Sequence, residues 1–404
     1  MSLDIRDVRS AYDRIRDGIV TTPCVAAPAF AQFTAGALYL KLESLQRTGS
    51  FKDRGALNRL LELSDEQRAR GVVTASAGNH AQAVAYHGGR LGIPVSVVMP
   101  EATPLIKVSN TRRYGARITQ HGATLSDSMS EARRLEAEQG LTMVHPFDDE
   151  RVIAGQGTIA LELIEQIPEI THLIAPIGGG GLLGGTAAAL KQLKRDVTVI
   201  GVEAAAAPSA LRSREQGGIV HIETQETIAD GIAVKRVGER TFPLLQQYVD
   251  QIVAVEEDAI AVAVHLLIER QKLVAEGAGA VTLAALLSKK IELAAGDVAV
   301  LIISGGNIDV NIIQRIIERG LVREGRLTQL VVKMRDRPGS LARLTAMIAE
   351  AGANVLETVH RRAFADISVG EVEILMQLET RGREHAARII ELLESNGLIV
   401  EAEP

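Results

Sequence analysis

Between about Ala37 and Leu321, short β-rich runs alternate with amphipathic helical patterns, and this alternation specifies an α/β architecture of mostly parallel sheet with crossover helices. Strands are predicted at Ala37–Leu42, Gly71–Ser76, Val95–Met99, Leu173–Ile177, Val197–Val202 and Val298–Ile303. Glycine-bearing turns at Gly49, Gly78, Gly178–Gly181 and Gly305–Gly306 fall where strands end. In open α/β sheets those carboxyl ends are where ligands bind, so one shared cleft is expected. After Leu321 the period changes. A charged linker is expected over 322–327. Residues 328–404 then follow a βαββαβ, ferredoxin-like order, with strands Thr328–Met334, Ala353–Arg361, Glu371–Glu379 and Leu398–Glu401 and helices Ser340–Ala351 and Glu384–Asn396.

A chain of 404 residues has room for two or three such domains. The net charge is −6 and the 44 basic residues are scattered, so neither nucleic acid nor an anionic membrane is the expected partner. A small molecule is. Cys24 is the single cysteine, which excludes an intrachain disulfide and a multi-cysteine metal site and suits a reducing compartment. Met1–Val20 lacks the apolar core of a secretory signal, and the charge-free stretch Leu173–Leu190 holds Pro176 and six glycines, a poor membrane span. A cytoplasmic location is expected.

Four segments carry chemistry. In Ser50-Phe51-Lys52-Asp53-Arg54-Gly55 the lysine stands in the first turn of a helix, where the macrodipole disfavours positive charge. A lysine with a depressed pKa is the amine that forms a Schiff base with an aldehyde cofactor, although alone it also reads as a snorkelling surface residue. Thr74–Gln82 breaks from a strand through Ser76-Ala77-Gly78-Asn79-His80 into a helix, a turn whose free N–H groups can take a carboxylate and which serves equally as an ordinary helix cap. Gly178-Gly179-Gly180-Gly181-Leu182 follows a buried strand, and four glycines in a row are entropically costly enough to suggest a phosphate cradle. A rival reading stands beside it. Gly179, Gly181 and Gly184 also satisfy a dinucleotide fingerprint, with Glu203 ending the next strand as a nicotinamide enzyme would need. Ser304-Gly305-Gly306-Asn307 places a hydroxyl on the same rim, and Glu276 heads a further glycine-rich turn as a ligand contact or a solvated carboxylate.

Taken in order, these segments resemble the threonine ammonia-lyases (threonine dehydratases) of fold-type II, the tryptophan synthase β-like pyridoxal-phosphate enzymes. The resemblance covers residues 1–321 and implies two subdomains with parallel sheets, the smaller (roughly 49–148) inserted in the larger. It favours the phosphate cradle over the nicotinamide reading. It implies that Lys52 is catalytic and carries pyridoxal 5'-phosphate, with Phe51, Asn79, Gly178, Gly179, Gly180, Gly181, Leu182, Glu276 and Ser304 as further cofactor contacts. Ser76, Gly78, Asn79 and His80 would hold the substrate carboxylate. The implied reaction converts L-threonine to 2-oxobutanoate and ammonia, with L-serine giving pyruvate, in isoleucine biosynthesis or threonine catabolism. A neutral Ser304 facing the pyridine nitrogen favours elimination over racemisation. Serine racemase or L-serine dehydratase is the alternative on this scaffold, but the serine that such racemases place before the Gly-Asn pair is Ala77 here. No metal is expected, because Ala207-Pro208-Ser209 lacks the second carboxylate of the racemase cation site. The carboxy-terminal segment resembles an ACT domain. That implies a homodimer or homotetramer and an amino-acid effector, isoleucine or valine, contacting Asp336, Pro338, Gly339, Ser340 and Asn354.

Overall fold

The computed structural model describes residues 3–362 and 368–403, so the outermost expected domain positions, 1, 2 and 404, lie outside the described residues. The chain divides into two compact units, Met1–Ile308 and Asp309–Pro404. The first unit holds two sheets. One has six strands in the order Cys24–Ala26, Ala37–Leu42, Val298–Ile303, His172–Pro176, Thr198–Ala204 and Gln251–Val255, parallel except for the first pair. The other is wholly parallel, in the order Arg117–Gln120, Val95–Met99, Val72–Ala75 and Thr142–Met143.

The central strands form where the sequence is mostly apolar, as in Val298–Ile303, because helices cover both faces of a parallel sheet. Leu40, Leu173, Ile174, Val300 and Leu301 are fully buried there. Three predicted strands agree residue for residue. Others move at their ends: Gly71–Ser76 shortens to Val72–Ala75, Leu173–Ile177 becomes His172–Pro176, and Val197–Val202 becomes Thr198–Ala204. Polar His172 and Thr198 join through backbone pairing with Ala299 and with each other, which hydrophobic pattern cannot reveal.

Helices Lys52–Leu61 and Glu150–Gln166 touch at two glycines. A Cβ on Gly55 would lie 2.8 Å from the Val152 carbonyl oxygen, and one on Gly155 would lie 2.7 Å from that of Arg54. This contact lets buried charges meet. The Arg54 guanidinium grips Glu43 through Nε and Nη2, both at 2.8 Å, and Glu162 through Nη1 at 2.6 Å and Nη2 at 2.9 Å. Lys41 Nζ adds a bond to Glu162 at 2.5 Å and one to the Thr22 carbonyl at 2.7 Å. All four charged side chains are withdrawn from water.

In the second unit a helix, Val310–Glu324, leads into an antiparallel sheet ordered Asn354–Arg361, Glu371–Glu379, Leu327–Arg335 and Ile399–Glu403, with helices Ser340–Glu350 and Arg383–Ser395. Leu330, Val332, Leu344, Ile348, Ile374, Met376, Ile389 and Leu393 make its core. Residues 322–327, expected as a linker, hold the last turn of the leading helix, Gly325 in the left-handed conformation (φ 70°) and the first residue of the sheet. No helix among the described residues is long and apolar enough to cross a membrane.

Truncating one member of the buried charge cluster strands the others. Arg54→Ala should therefore cost about 3–5 kcal/mol of stability, read as a fall in the urea midpoint, and Arg54→Lys should recover only part of it because an ammonium cannot make the forked contact.

Candidate active site

Lys52 opens the helix Lys52–Leu61, and its backbone is tied down on both sides. Upstream, Phe51 N–H donates to the Ser304 carbonyl at 3.0 Å and Gly306 N–H to that of Gly49 at 2.9 Å, so the loop before Lys52 is stitched to the end of the strand Val298–Ile303. Downstream, the buried Asp53 carboxylate accepts from Thr48 N–H at 2.9 Å, Thr48 Oγ1 at 2.8 Å and His87 Nε2 at 3.1 Å. The Lys52 amine donates to the Pro146 carbonyl at 2.7 Å and lies 5.0 Å from the Phe51 ring centre. Burial pushes it down to about 8, against the opposing pull of the Glu276 carboxylate.

Glu276 is the hub of a second group. Its Oε1 accepts from Asn79 Nδ2 at 2.7 Å, and Asn307 Nδ2 reaches Asn79 Oδ1 at 2.8 Å and the Thr48 carbonyl at 2.7 Å. Burial, reinforced by Asp230, raises Glu276 to about 7, while the Asn79 bond restrains the rise. Gly305 must lack a side chain here, since a Cβ would sit 2.5 Å from Glu276 Oε1 and 3.1 Å from Asn79 Nδ2. Ser304, buried, is the adjoining residue. Residues from three separated segments, 79, 276 and 304–307, are thus brought together.

The turn before the helix Asn79–Arg90 leaves open space at Gly78, where a Cβ would meet nothing within 4 Å. Gly78 N–H leans on Ser76 Oγ at 3.2 Å. His80 behaves differently from its neighbours. Its Nε2 bonds the Val144 carbonyl at 2.9 Å, Nδ1 is buried with no hydrogen-bond partner, and burial, followed by the charge of Lys52, pushes the ring down to about 3. A neutral ring that donates through Nε2 has only an acceptor left, so a carboxylate can be served here by the His80 backbone N–H and not by its imidazole.

Gly178–Gly181 lead into the helix Gly181–Leu193, whose first N–H groups have no partner within the helix and make an anion site. The structure supplies a second reason for the glycines. A Cβ on Gly179 would come within 2.2 Å of the Phe147 ring, and Gly180, at φ 92°, would press on Thr241 Oγ1 at 2.7 Å. Thr241 Oγ1 in turn donates to the Gly179 carbonyl at 2.6 Å. The run therefore has a packed back as well as a front of donors. Glu203 does not stand free for a ribose. Both its carboxylate oxygens are taken at 2.8 Å by Ala210 and Leu211 N–H, and burial raises it to about 8.

The second unit carries its own candidates. Asp336, Pro338, Gly339 and Ser340 line a cavity of about 360 Å³ floored by Met334, Val372 and Ile374, with Arg362 Nε bonded to Asp336 Oδ2 at 2.7 Å. Asn354 is not among the lining residues. It stands at the start of its strand with Nδ2 3.4 Å from Glu379 Oε2, because the register places it opposite Glu379.

Pro146, Phe147, Thr241 and the Asp53–His87 pair were not apparent as site residues from the motifs. The available signal was the loop after Thr142–Met143, which ends a strand of the parallel sheet as the other site segments do.

Comparison with known proteins accounts for this arrangement. Residues 15–305 match the model of the pyridoxal-phosphate dependent enzymes, and residues 328–397 that of the ACT domain. An L-threonine ammonia-lyase of Geobacter sulfurreducens is 46% identical over 394 residues, 98% of each chain. The solved threonine deaminase of T.th. superposes with a TM-score of 0.71 at 42% identity, over 76% of this chain and 99% of that one. The serine racemase of Dictyostelium discoideum does so with a TM-score of 0.72 at 38% identity, over 77% and 100%. With a partly buried lysine bonded to Pro146, the adjoining Phe147 packed behind a glycine-lined helix start, and the match spanning all of them, the chain belongs to the pyridoxal-phosphate dependent enzyme family and carries a carboxy-terminal ACT domain.

Proposed function

We infer that this protein is a pyridoxal-phosphate-dependent L-threonine ammonia-lyase, converting L-threonine to 2-oxobutanoate and ammonia and L-serine to pyruvate as a side activity. The observation that carries the reading is the Lys52 amine, depressed to about 8 by burial and bonded to the Pro146 carbonyl, whose neighbour Phe147 backs the glycine run before the helix Gly181–Leu193. That donor set fits a phosphorylated aldehyde: an amine able to be neutral near working pH for the carbonyl, and N–H groups for the phosphate.

Once bound, pyridoxal phosphate supplies an electron sink that acidifies the substrate α-proton. The chain's residues do the rest. The backbone of Gly178–Leu182 would hold the phosphate, Asn79 and Glu276 would meet the ring substituents with Phe51 beside Lys52, and the neutral hydroxyl of Ser304 would serve the ring nitrogen. Ser76, Gly78, Asn79 and the His80 N–H bind the substrate carboxylate. Lys52, as a neutral amine, takes the α-proton at Nζ and, as the ammonium so formed, returns a proton to the β-hydroxyl, which departs as water. The enamine left behind tautomerises to the imine as a proton moves from nitrogen to the β-carbon, and water hydrolyses that C=N bond to 2-oxobutanoate and ammonia.

The reading extends to regulation and setting. The cavity at Asp336–Ser340 is the place for an amino-acid effector, and its apolar floor suits isoleucine or valine. Pairing of ACT domains would make the enzyme a homodimer or homotetramer in the cytoplasm, serving isoleucine biosynthesis or threonine catabolism. Serine racemase is the second reading, favoured by the racemase-like scaffold and opposed by Ala77, which offers no acid/base group.

Lys52→Ala should abolish turnover and the visible absorption of the bound cofactor together; a variant that keeps full activity refutes the assignment. In the wild type, the rate at which cofactor-free enzyme combines with pyridoxal phosphate should rise with pH and level off above about 8, as the amine loses its proton. Glu276→Gln removes an anion that favours the charged amine, so the midpoint should move to lower pH.

Ala77→Ser supplies the missing group. It should raise D-serine formation from L-serine relative to pyruvate, measured by chiral chromatography, whereas an unchanged ratio would show that position 77 does not divide lyase from racemase.

A further inference from the structure

The loop between strand Thr142–Met143 and helix Glu150–Gln166 has no assigned task, yet it touches both ends of the site. Its organiser is His145. The ring accepts at a single nitrogen: Phe147 N–H reaches Nδ1 at 3.3 Å and Asp148 N–H reaches it at 2.8 Å. A nitrogen that accepts carries no proton, so the neutral tautomer with hydrogen on Nε2 is specified. Burial keeps the ring in that form, pushing it down to about 4; Arg133 and Lys52 act in the same direction, and Asp148 and Asp149 against it.

The two bonds curl the chain into a tight turn, and each of the three residues after His145 lands on a different part of the site. The Pro146 carbonyl accepts from Lys52 Nζ at 2.7 Å. The Phe147 ring stands edge-on to His145, with centres 4.7 Å apart, and fills the space behind Gly179. The Asp148 carboxylate accepts from Glu239 N–H at 3.1 Å and Arg240 N–H at 2.8 Å, which anchors the segment leading to Thr241 and hence to the Gly179 carbonyl. One imidazole therefore governs the partner of the reactive amine and the backing of the glycine run.

We propose that His145 is the positioning residue of the cofactor platform, its Nδ1 acceptor holding the Pro146 carbonyl on Lys52 and the Phe147 ring under Gly179. This rests on the assignment of Lys52 as the cofactor lysine. A side chain that merely packs would act through its ring, whereas this one acts through a lone pair, and two variants separate the roles. His145→Asn keeps an acceptor able to take an N–H two or three residues on, as Asx turns do. His145→Phe keeps the ring and its edge contact and loses the acceptor.

The test measures, for wild type and both variants, the dissociation constant of pyridoxal phosphate by absorbance titration of the cofactor-free enzyme, the pH midpoint of cofactor uptake, and kcat and KM for threonine. His145→Phe should weaken cofactor binding and lower kcat by about tenfold or more, shift the uptake midpoint, and leave KM for threonine within about threefold, because the displaced groups face the cofactor and not the substrate carboxylate. His145→Asn should stay within about threefold of wild type on every measure. Wild-type behaviour of His145→Phe, or equal impairment of the two variants, overturns the proposal. If the phenylalanine variant does not fold, His145→Ala, which also lacks the acceptor, is compared with His145→Asn by the same criteria. Failure of the underlying assignment looks different: the wild type itself would then show no absorbance traceable to Lys52, and both readings would fall.

Discussion

Withholding water from the Lys52 ammonium is the interaction on which the site depends. A fall from 10.5 to about 8 disfavours the charged form by roughly 3 kcal/mol. Because the folded value lies below the unfolded one, that cost is fully present below about pH 8 and fades as pH rises towards 10.5. A flexible side chain would escape such a site unless its backbone were fixed. The next two residues fix it. Asp53 points to Thr48 and His87, and Arg54 points to Glu43 and Glu162, so the helix that presents the amine is held by buried polar bonds in two directions. Condensation with an aldehyde requires the neutral amine, the form the fold favours.

Much of this was visible in the residues alone, for a physical reason that also marks its limit. The strand Val298–Ile303 is buried on both faces, and its continuous apolar run reports that directly. The segments 50–55, 76–82 and 304–307 were visible because each concentrates several unusual residues within a single turn. What stayed hidden depends on distant partners. Nothing in the local sequence marks Lys41, Glu43 and Glu162 as interior charges; they meet Arg54 where two helices touch at glycines. The direction of the His80 ring is set by the Val144 carbonyl, sixty-four positions away. Asn354 was a candidate through the ACT resemblance, and its pairing with Glu379 across strand register is a contact that no local pattern could announce.

Gly178–Gly181 show how one motif can satisfy two demands. The entropic cost of such a run suggests a phosphate cradle, and the free N–H groups of the following helix suit one. The contacts behind it are equally restrictive, because Phe147 and Thr241 occupy the volume that side chains would need. The dinucleotide reading shares the glycines and requires the carboxylate at the end of the next strand to face a ribose. Glu203 instead closes on the N–H groups of Ala210 and Leu211. Spacing alone cannot distinguish a carboxylate that waits for a ligand from one that caps a turn; its hydrogen bonds can.

The proton affinity of Lys52 follows from which nearby groups are allowed a charge. Two imidazoles, His80 and His145, lie close enough for the lysine to oppose their protonation, and both are kept neutral by burial, at about 3 and about 4. The Val144 carbonyl takes the Nε2 hydrogen of one, and the Phe147 and Asp148 N–H groups claim the Nδ1 lone pair of the other. Neither can add a cation beside the amine. Among the described residues, Glu276 is then the side chain whose charge works against burial in setting Lys52. A protonated imidazole would depress the amine further and leave it too weak a base for a carbon acid; a second carboxylate would keep it charged and unable to act as a base at all. A lysine that must be nucleophile towards an aldehyde and base towards a Cα–H needs the intermediate condition, and burial opposed by a single carboxylate provides it.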